Sequence, residues 1–128
     1  MRVITGTARG RVLRTLEGED VRPTTDRVKE AVFSIIQFEI EGRRVLDLFA
    51  GSGQLGIEAL SRGADSATFV DMSKDSLATV KYNLEHTKLG DRAKVIQTDA
   101  LSFLKLTKDR FDIVFIDPPY ASSLVADS

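Results

Sequence analysis

The apolar positions of this chain change period as it proceeds. In the first residues they form two short runs, Arg2-Val3-Ile4 and Arg11-Val12-Leu13, separated by Gly6 and Gly10, a pattern that predicts a small hairpin. After Pro23 the spacing becomes helical. Val28, Ala31, Val32, Ile35 and Ile36 recur at i, i+3, i+4, i+7 and i+8, so one face of a helix is expected to be core, with Thr24, Thr25 or Asp26 as its cap. Phe33 and Phe38 read as further core aromatics. Lys29, one position from Val28 on a helix that also carries Glu30, reads as solvated surface charge.

From Arg44 onward, apolar strands alternate with helical stretches. Strands are expected at Val45 to Phe49, Ala67 to Asp71, Lys94 to Thr98 and Phe111 to Ile116, with helices at Gly53 to Ser61, Lys74 to Lys88 and Ala100 to Lys108. Strand, helix and strand at this spacing imply right-handed crossovers and a parallel sheet covered on both faces. The fold class is therefore α/β and Rossmann-like, with strand order 3-2-1-4 and an N-terminal hairpin and helix. Ligands of open α/β sheets bind beyond the carboxyl ends of the strands, at the switch between the first and fourth.

Composition narrows the chemistry. The 128 residues fit one domain, with 1–20 as an arm and 44–120 as the core. With no cysteine and a single histidine, His86, disulfide frameworks, thiol nucleophiles and metal sites are not expected. No apolar stretch is long enough to cross a bilayer and no signal-peptide core precedes the fold, so a cytoplasmic location is expected. The net charge of −1 conceals a basic arm in which Arg2, Arg9, Arg11 and Arg14 occur with no acid before Glu17. Together with Arg22 and Arg27 they are candidates for RNA phosphate contacts, or else ordinary solvated charge. Lys81 and His86 fall on the polar side of a helix and receive no role.

The first strand runs into Gly51-Ser52-Gly53-Gln54-Leu55-Gly56, a G-x-G-x-x-G placed where a nucleotide-binding loop opens a helix. NAD, FAD and S-adenosylmethionine sites share that pattern. Asp47, four residues before Gly51, favours the last of these, because a carboxylate there repels a pyrophosphate but suits, directly or through water, the ammonium of a methionine moiety. Asp71 ends the second strand, where it is placed to accept ribose hydroxyls; its alternative is a loop acid ahead of a Ser73 cap. Asp99 follows the third strand, placed for an adenine amino group with Ala100 beside it, or simply to cap the next helix. Carboxylates after all four strands are costly without a ligand or partners.

The fourth is Asp117, in Asp117-Pro118-Pro119-Tyr120. This tetrapeptide resembles the signature of enzymes that methylate an exocyclic or amide nitrogen. The lone pair of such a nitrogen is delocalised, so the group must be pinned by acceptors: the Asp117 carboxylate and a backbone carbonyl within Asp117-Pro118, on a loop stiffened by proline. Tyr120 would stack on a flat base. A strand-ending turn is the plain alternative.

Val45 through Gly53, Asp71, Asp99 and the tetrapeptide resemble the motifs of class I S-adenosylmethionine-dependent methyltransferases acting on amino nitrogens. Met1-Arg2-Val3-Ile4 with Gly6 and Gly10, followed by Arg22-Pro23-Thr24-Thr25-Asp26-Arg27-Val28-Lys29-Glu30-Ala31-Val32-Phe33, is similar to the bacterial 16S ribosomal RNA guanine-N2 methyltransferases of the D type. The resemblance implies S-adenosyl-L-methionine as cofactor and a catalytic set of Asp117, Pro118 and Tyr120. It also implies a cofactor set of Asp47, Phe49, Gly51, Ser52, Gly53, Asp71, Met72, Asp99, Ala100 and Asp117. The implied partner is 16S ribosomal RNA or the assembling small subunit, met by a monomer without metal. Family members continue past the tetrapeptide through further strands. Ile113 and Phe115 on one face and Val114 and Ile116 on the other also mark the fourth strand as central, so the chain is expected to be incomplete at its C-terminal end.

Other readings share parts of this pattern. A DNA adenine or protein glutamine amide methyltransferase uses the same tetrapeptide, although no target-recognition insertion is evident. A cofactor-binding RNA-associated module without turnover would keep the pocket alone. A NAD dehydrogenase would need an acid or base for hydride transfer, for which His86 is badly placed.

Overall fold

The computed structural model describes residues 2–14 and 23–116, with only the backbone described over 23–28. Helix α1 (Pro23–Ile36) precedes strand β1 (Arg44–Asp47), followed by α2 (Gln54–Ser61), β2 (Ser66–Asp71), α3 (Lys74–Thr87), β3 (Ala93–Gln97), α4 (Ala100–Leu106) and β4 (Ile113–Phe115). The strands form one parallel sheet in the order β3-β2-β1-β4, as the alternating pattern predicts. Asp47 lies opposite Phe69 and Phe115, and Asp71 opposite Gln97. The carboxyl ends of all four strands therefore share one edge.

Successive residues of β1 point to opposite faces, and the core divides accordingly. Val45, Phe69 and Phe115 pack with Phe33 of α1, Ile57 and Leu60 of α2, and Val80 and Leu84 of α3. Leu46, Leu48 and Val70 pack on the other face with Phe103 of α4. On that second face Val114 and Ile116, apolar in the pattern of a central strand, are 44% and 49% exposed. Among the described residues β4 pairs with β1 alone.

Helix α1 departs from its expected phase. It begins at Pro23 rather than after it, because a fixed φ suits the first helical position and the missing N–H is not needed there. Among its described side chains the inward stripe is Lys29, Val32, Phe33 and Ile36, with Val32 and Ile36 inward as expected, while Ala31 is exposed and Ile35 is 81% exposed; the Val28 side chain lies outside the described residues. Lys29, read from sequence as solvated charge, is 1% exposed. Its Nζ lies 3.2 Å from Glu58 Oε1 and donates to the Arg2 carbonyl at 3.1 Å. A charge with a buried partner can occupy a core position. Phe33 is core as expected, but Phe38, two residues past the helix, is 92% exposed.

Among the described residues the N-terminal hairpin is reduced to one antiparallel bridge, Arg2 to Val12, with Val3 donating to Arg11 and Gly10 to Val3, each at 2.9 Å. What holds it is the body of the domain. The buried Glu58 carboxylate accepts from the Ile4 and Thr5 amides at 2.8 and 3.0 Å, and from Arg62 Nε at 2.9 Å. Ser61 Oγ accepts from Ala8 and donates to Thr5. The approach is so close that a Cβ on Gly6 would stand 1.8 Å from the Ser61 carbonyl oxygen, which only glycine permits.

Candidate functional site

The loop leaving β1 is shaped by its glycines. Gly51 and Gly53 have φ of +56° and +83°, a region costly for other L-residues, and Gly53 is the N-cap of α2. The turn is closed by Gly53 N–H donating to Ala50 at 2.7 Å. Gly56, the third glycine, lies in the first turn of α2 against Phe69 of β2, where an added Cβ would fall 2.4 Å from Cε1. The pattern thus supplies a tight turn, an open backbone and close packing of helix on sheet.

Two of the three predicted acids within the described residues brace this loop. Asp47 is buried, and its Oδ2 accepts from the Gly56 amide at 3.1 Å. Asp71 accepts from the Gly51 amide at 3.0 Å through Oδ2 and from the Ser73 amide at 2.8 Å through Oδ1, while Ser73 caps α3. Asp99 takes the helix-capping option. It accepts from Ser102 N–H at 2.8 Å and Ser102 Oγ at 2.7 Å, and these bonds hold its carboxyl below the usual carboxylate range. Each oxygen of the Asp71 and Asp99 carboxylates accepts one of these bonds and has a second lone-pair direction.

Hydrogen bonds thus bring together Asp47, Gly51 and Asp71 around a loop that includes the buried Ser52 and Gly53. Phe49 and Ala100 are half-buried and pack toward the α4 face, and Met72 is 68% exposed beside Asp71. The donor set fits S-adenosylmethionine. Carboxylates suit an ammonium and hydroxyls rather than a pyrophosphate, and a Cβ at Gly51 would meet nothing within 4 Å, so the loop is open on that side. Asp117, Pro118 and Tyr120 lie outside the described residues, as do Arg22 and the side chain of Arg27.

The four arginines of the arm are exposed. Arg14 is anchored most firmly, its guanidinium 3.8 Å from the centroid of the Tyr82 ring, which stacks at 6.0 Å on His86. Among the buried polar residues that sequence reasoning missed are Glu58 and Asn83. Their signal was a polar residue at a core position: Glu58 in the apolar run Ile57 to Leu60, and Asn83 three residues after Val80.

The family model described as Conserved hypothetical protein 95 matches residues 1–128. The chain belongs to this family. It is 48% identical over 123 residues to YlbH of Bacillus subtilis, covering 94% of this chain and 67% of that protein. With Ribosomal RNA small subunit methyltransferase D of Haemophilus influenzae it shares 44% identity over 127 residues, covering 97% of this chain and 66% of that one. The Escherichia coli protein of the same name is 41% identical over 128 residues, covering 100% and 64%. This member of the family therefore spans about two thirds of the length of the curated relatives it matches. Among solved structures, yhhF of Escherichia coli superposes with a TM-score of 0.85 at 41% identity, covering 99% of this chain and 70% of that one. The fold is that of Rossmann-like methyltransferases.

Proposed function

We propose that this chain binds S-adenosyl-L-methionine at the Gly51–Gly53 loop and directs its methyl group to the exocyclic N2 amine of a guanine in 16S ribosomal RNA. The observation that carries the donor assignment is the acidic frame of the loop, Asp47 behind it and Asp71 across it. The acceptor class rests on family membership, on relatives named for methylation of the small-subunit RNA, and on the resemblance of residues 22–33 and of the tetrapeptide.

The bound group would supply an electrophilic methyl on a sulfonium. Asp47 would face the ammonium end, Asp71 the ribose hydroxyls, and Asp99 with Ala100 the adenine, with Phe49 and Met72 as apolar walls. Asp117 would accept an amine N–H and afterwards its proton, Pro118 would orient the amine, and Tyr120 would stack on the guanine. No covalent enzyme intermediate is needed, since alignment of reactants alone is worth about 7 to 11 kcal/mol. Arg2, Arg9, Arg11, Arg14, Arg22 and Arg27 would contact phosphates, and the target base would leave its stack to enter the cleft.

Calorimetric titration with S-adenosylmethionine, with NAD as control, tests the donor. Selective binding supports the pocket; equal or preferred NAD binding overturns it. Transfer of labelled methyl to 16S rRNA, or to small subunits from cells lacking the modification, tests the acceptor. Product at guanine N2 that disappears in Asp117→Ala is the expected result, and label on adenine or on protein would replace the reading.

A further inference from the structure

Asn83 lies on the inward face of α3 and is fully buried. Its side-chain amide makes three hydrogen bonds, all to backbone groups far away in sequence. Oδ1 accepts from the Arg14 N–H at 2.7 Å, and Nδ2 donates to the Arg14 carbonyl and the Ser52 carbonyl, each at 2.9 Å. One rigid planar group thus ties the last described residue of the basic arm to the middle residue of the glycine loop. Neighbouring contacts tighten the same junction. Tyr82 holds the Arg14 guanidinium on its ring, and a Cβ on Gly53 would come 3.2 Å from Val80, so the loop rests on the helix turn that grips the arm.

We propose that Asn83 is a positioning residue that couples the methyl-donor loop to the RNA-binding arm, so that occupancy of one strengthens binding at the other. The inference rests on the donor and RNA reading given above. A bound donor fixes the Ser52 carbonyl, the Asn83 amide follows because both Nδ2 hydrogens are committed, and the Arg14 backbone is held in one register. Arg14 follows Val12, which pairs with Arg2, so a fixed Arg14 holds the exposed arginines of the arm in one register for RNA. Linkage makes the effect reciprocal. A pin that only stabilised the fold would lower the melting point when removed and leave the coupling intact.

The test measures affinity of the chain for a 16S rRNA transcript with and without S-adenosylhomocysteine, and affinity for that compound with and without RNA. The intact chain should show the same factor both ways, about 5-fold or more. Asn83→Asp is isosteric but sets a carboxylate against two carbonyls, and should bring the factor to near one while each ligand alone still binds. Amide exchange gives a second measure that needs no variant: protection of the Arg14 N–H should rise when the donor analogue is added. A factor of one in the intact chain, an undiminished factor in Asn83→Asp, or unchanged Arg14 protection overturns the coupling. Failure of the intact chain to bind the analogue or the transcript at all overturns the functional reading, and the coupling with it.

Discussion

The Gly51 amide donates to Asp71 Oδ2 across 3.0 Å, so the end of β2 holds the turn that leaves β1. The carboxylate proposed to receive ribose hydroxyls also fixes the backbone against which the donor would lie. One residue therefore contributes both charge and backbone shape to the proposed site.

Asp71→Ala removes both contributions. Donor affinity should fall by about 1 to 3 kcal/mol for the lost hydrogen bonds to a charged group, and the Gly51 amide should exchange faster. Asp71→Asn retains one acceptor and should lie between the two. Calorimetric affinity unchanged in Asp71→Ala would remove Asp71 from the cofactor set.

Gly56 makes a different kind of prediction. A methyl there would stand 2.4 Å from Cε1 and 2.7 Å from Cζ of Phe69, within the buried core, so Gly56→Ala should destabilise the fold by about 1 to 3 kcal/mol. Truncating the obstacle in Gly56→Ala with Phe69→Leu should recover part of the loss in urea unfolding. Gly51→Ala has open space and meets only its positive φ, a penalty of about 1 to 2 kcal/mol.

Asp99 carries a pH dependence whose sign follows from its bonds. Ser102 N–H and Oγ stabilise the charged carboxylate and lower its folded pKa below the ordinary 3.8. The resulting stabilisation of α4 is present above the unfolded value and is lost as pH falls through the lowered folded value. Acid titration followed at the Ser102 amide by NMR should show a midpoint below that of an unstructured aspartate. Asp99→Asn should abolish the transition.

The strands and the glycine turn were legible because their causes are local. Alternation of apolar runs fixed β1 to β4 to within a few residues, and Gly51, Gly53 and Gly56 sit where backbone geometry demands them. Lys29 and Phe38 were misread because their environments are set by distant chain. Lys29 is buried through Glu58, and past the end of α1 the buried position is taken by Ile40 while Phe38 is exposed. Asn83 was invisible as a function for the same reason, since its partners are Arg14 and Ser52. Composition and periodicity place the elements, and pairing with distant chain decides where a polar residue lies and what it does there.

Glu58 is where that distinction is most testable. Its carboxylate is fully buried and receives Lys29, Arg62 and the amides of Ile4 and Thr5, so its removal takes the Glu58 ion pair from a buried ammonium and the acceptor from two N–H groups together. Glu58→Ala should cost about 3 to 5 kcal/mol and release the hairpin, seen as fast exchange at Ile4 and Thr5. Lys29→Met should cost less, because Arg62 Nε still pairs with Oε2 at 2.9 Å and methionine fills a similar volume. The order of the two melting points decides the matter. If Lys29→Met proves the more damaging, the hub is organised by the lysine, and the arm is anchored through α1 rather than through α2.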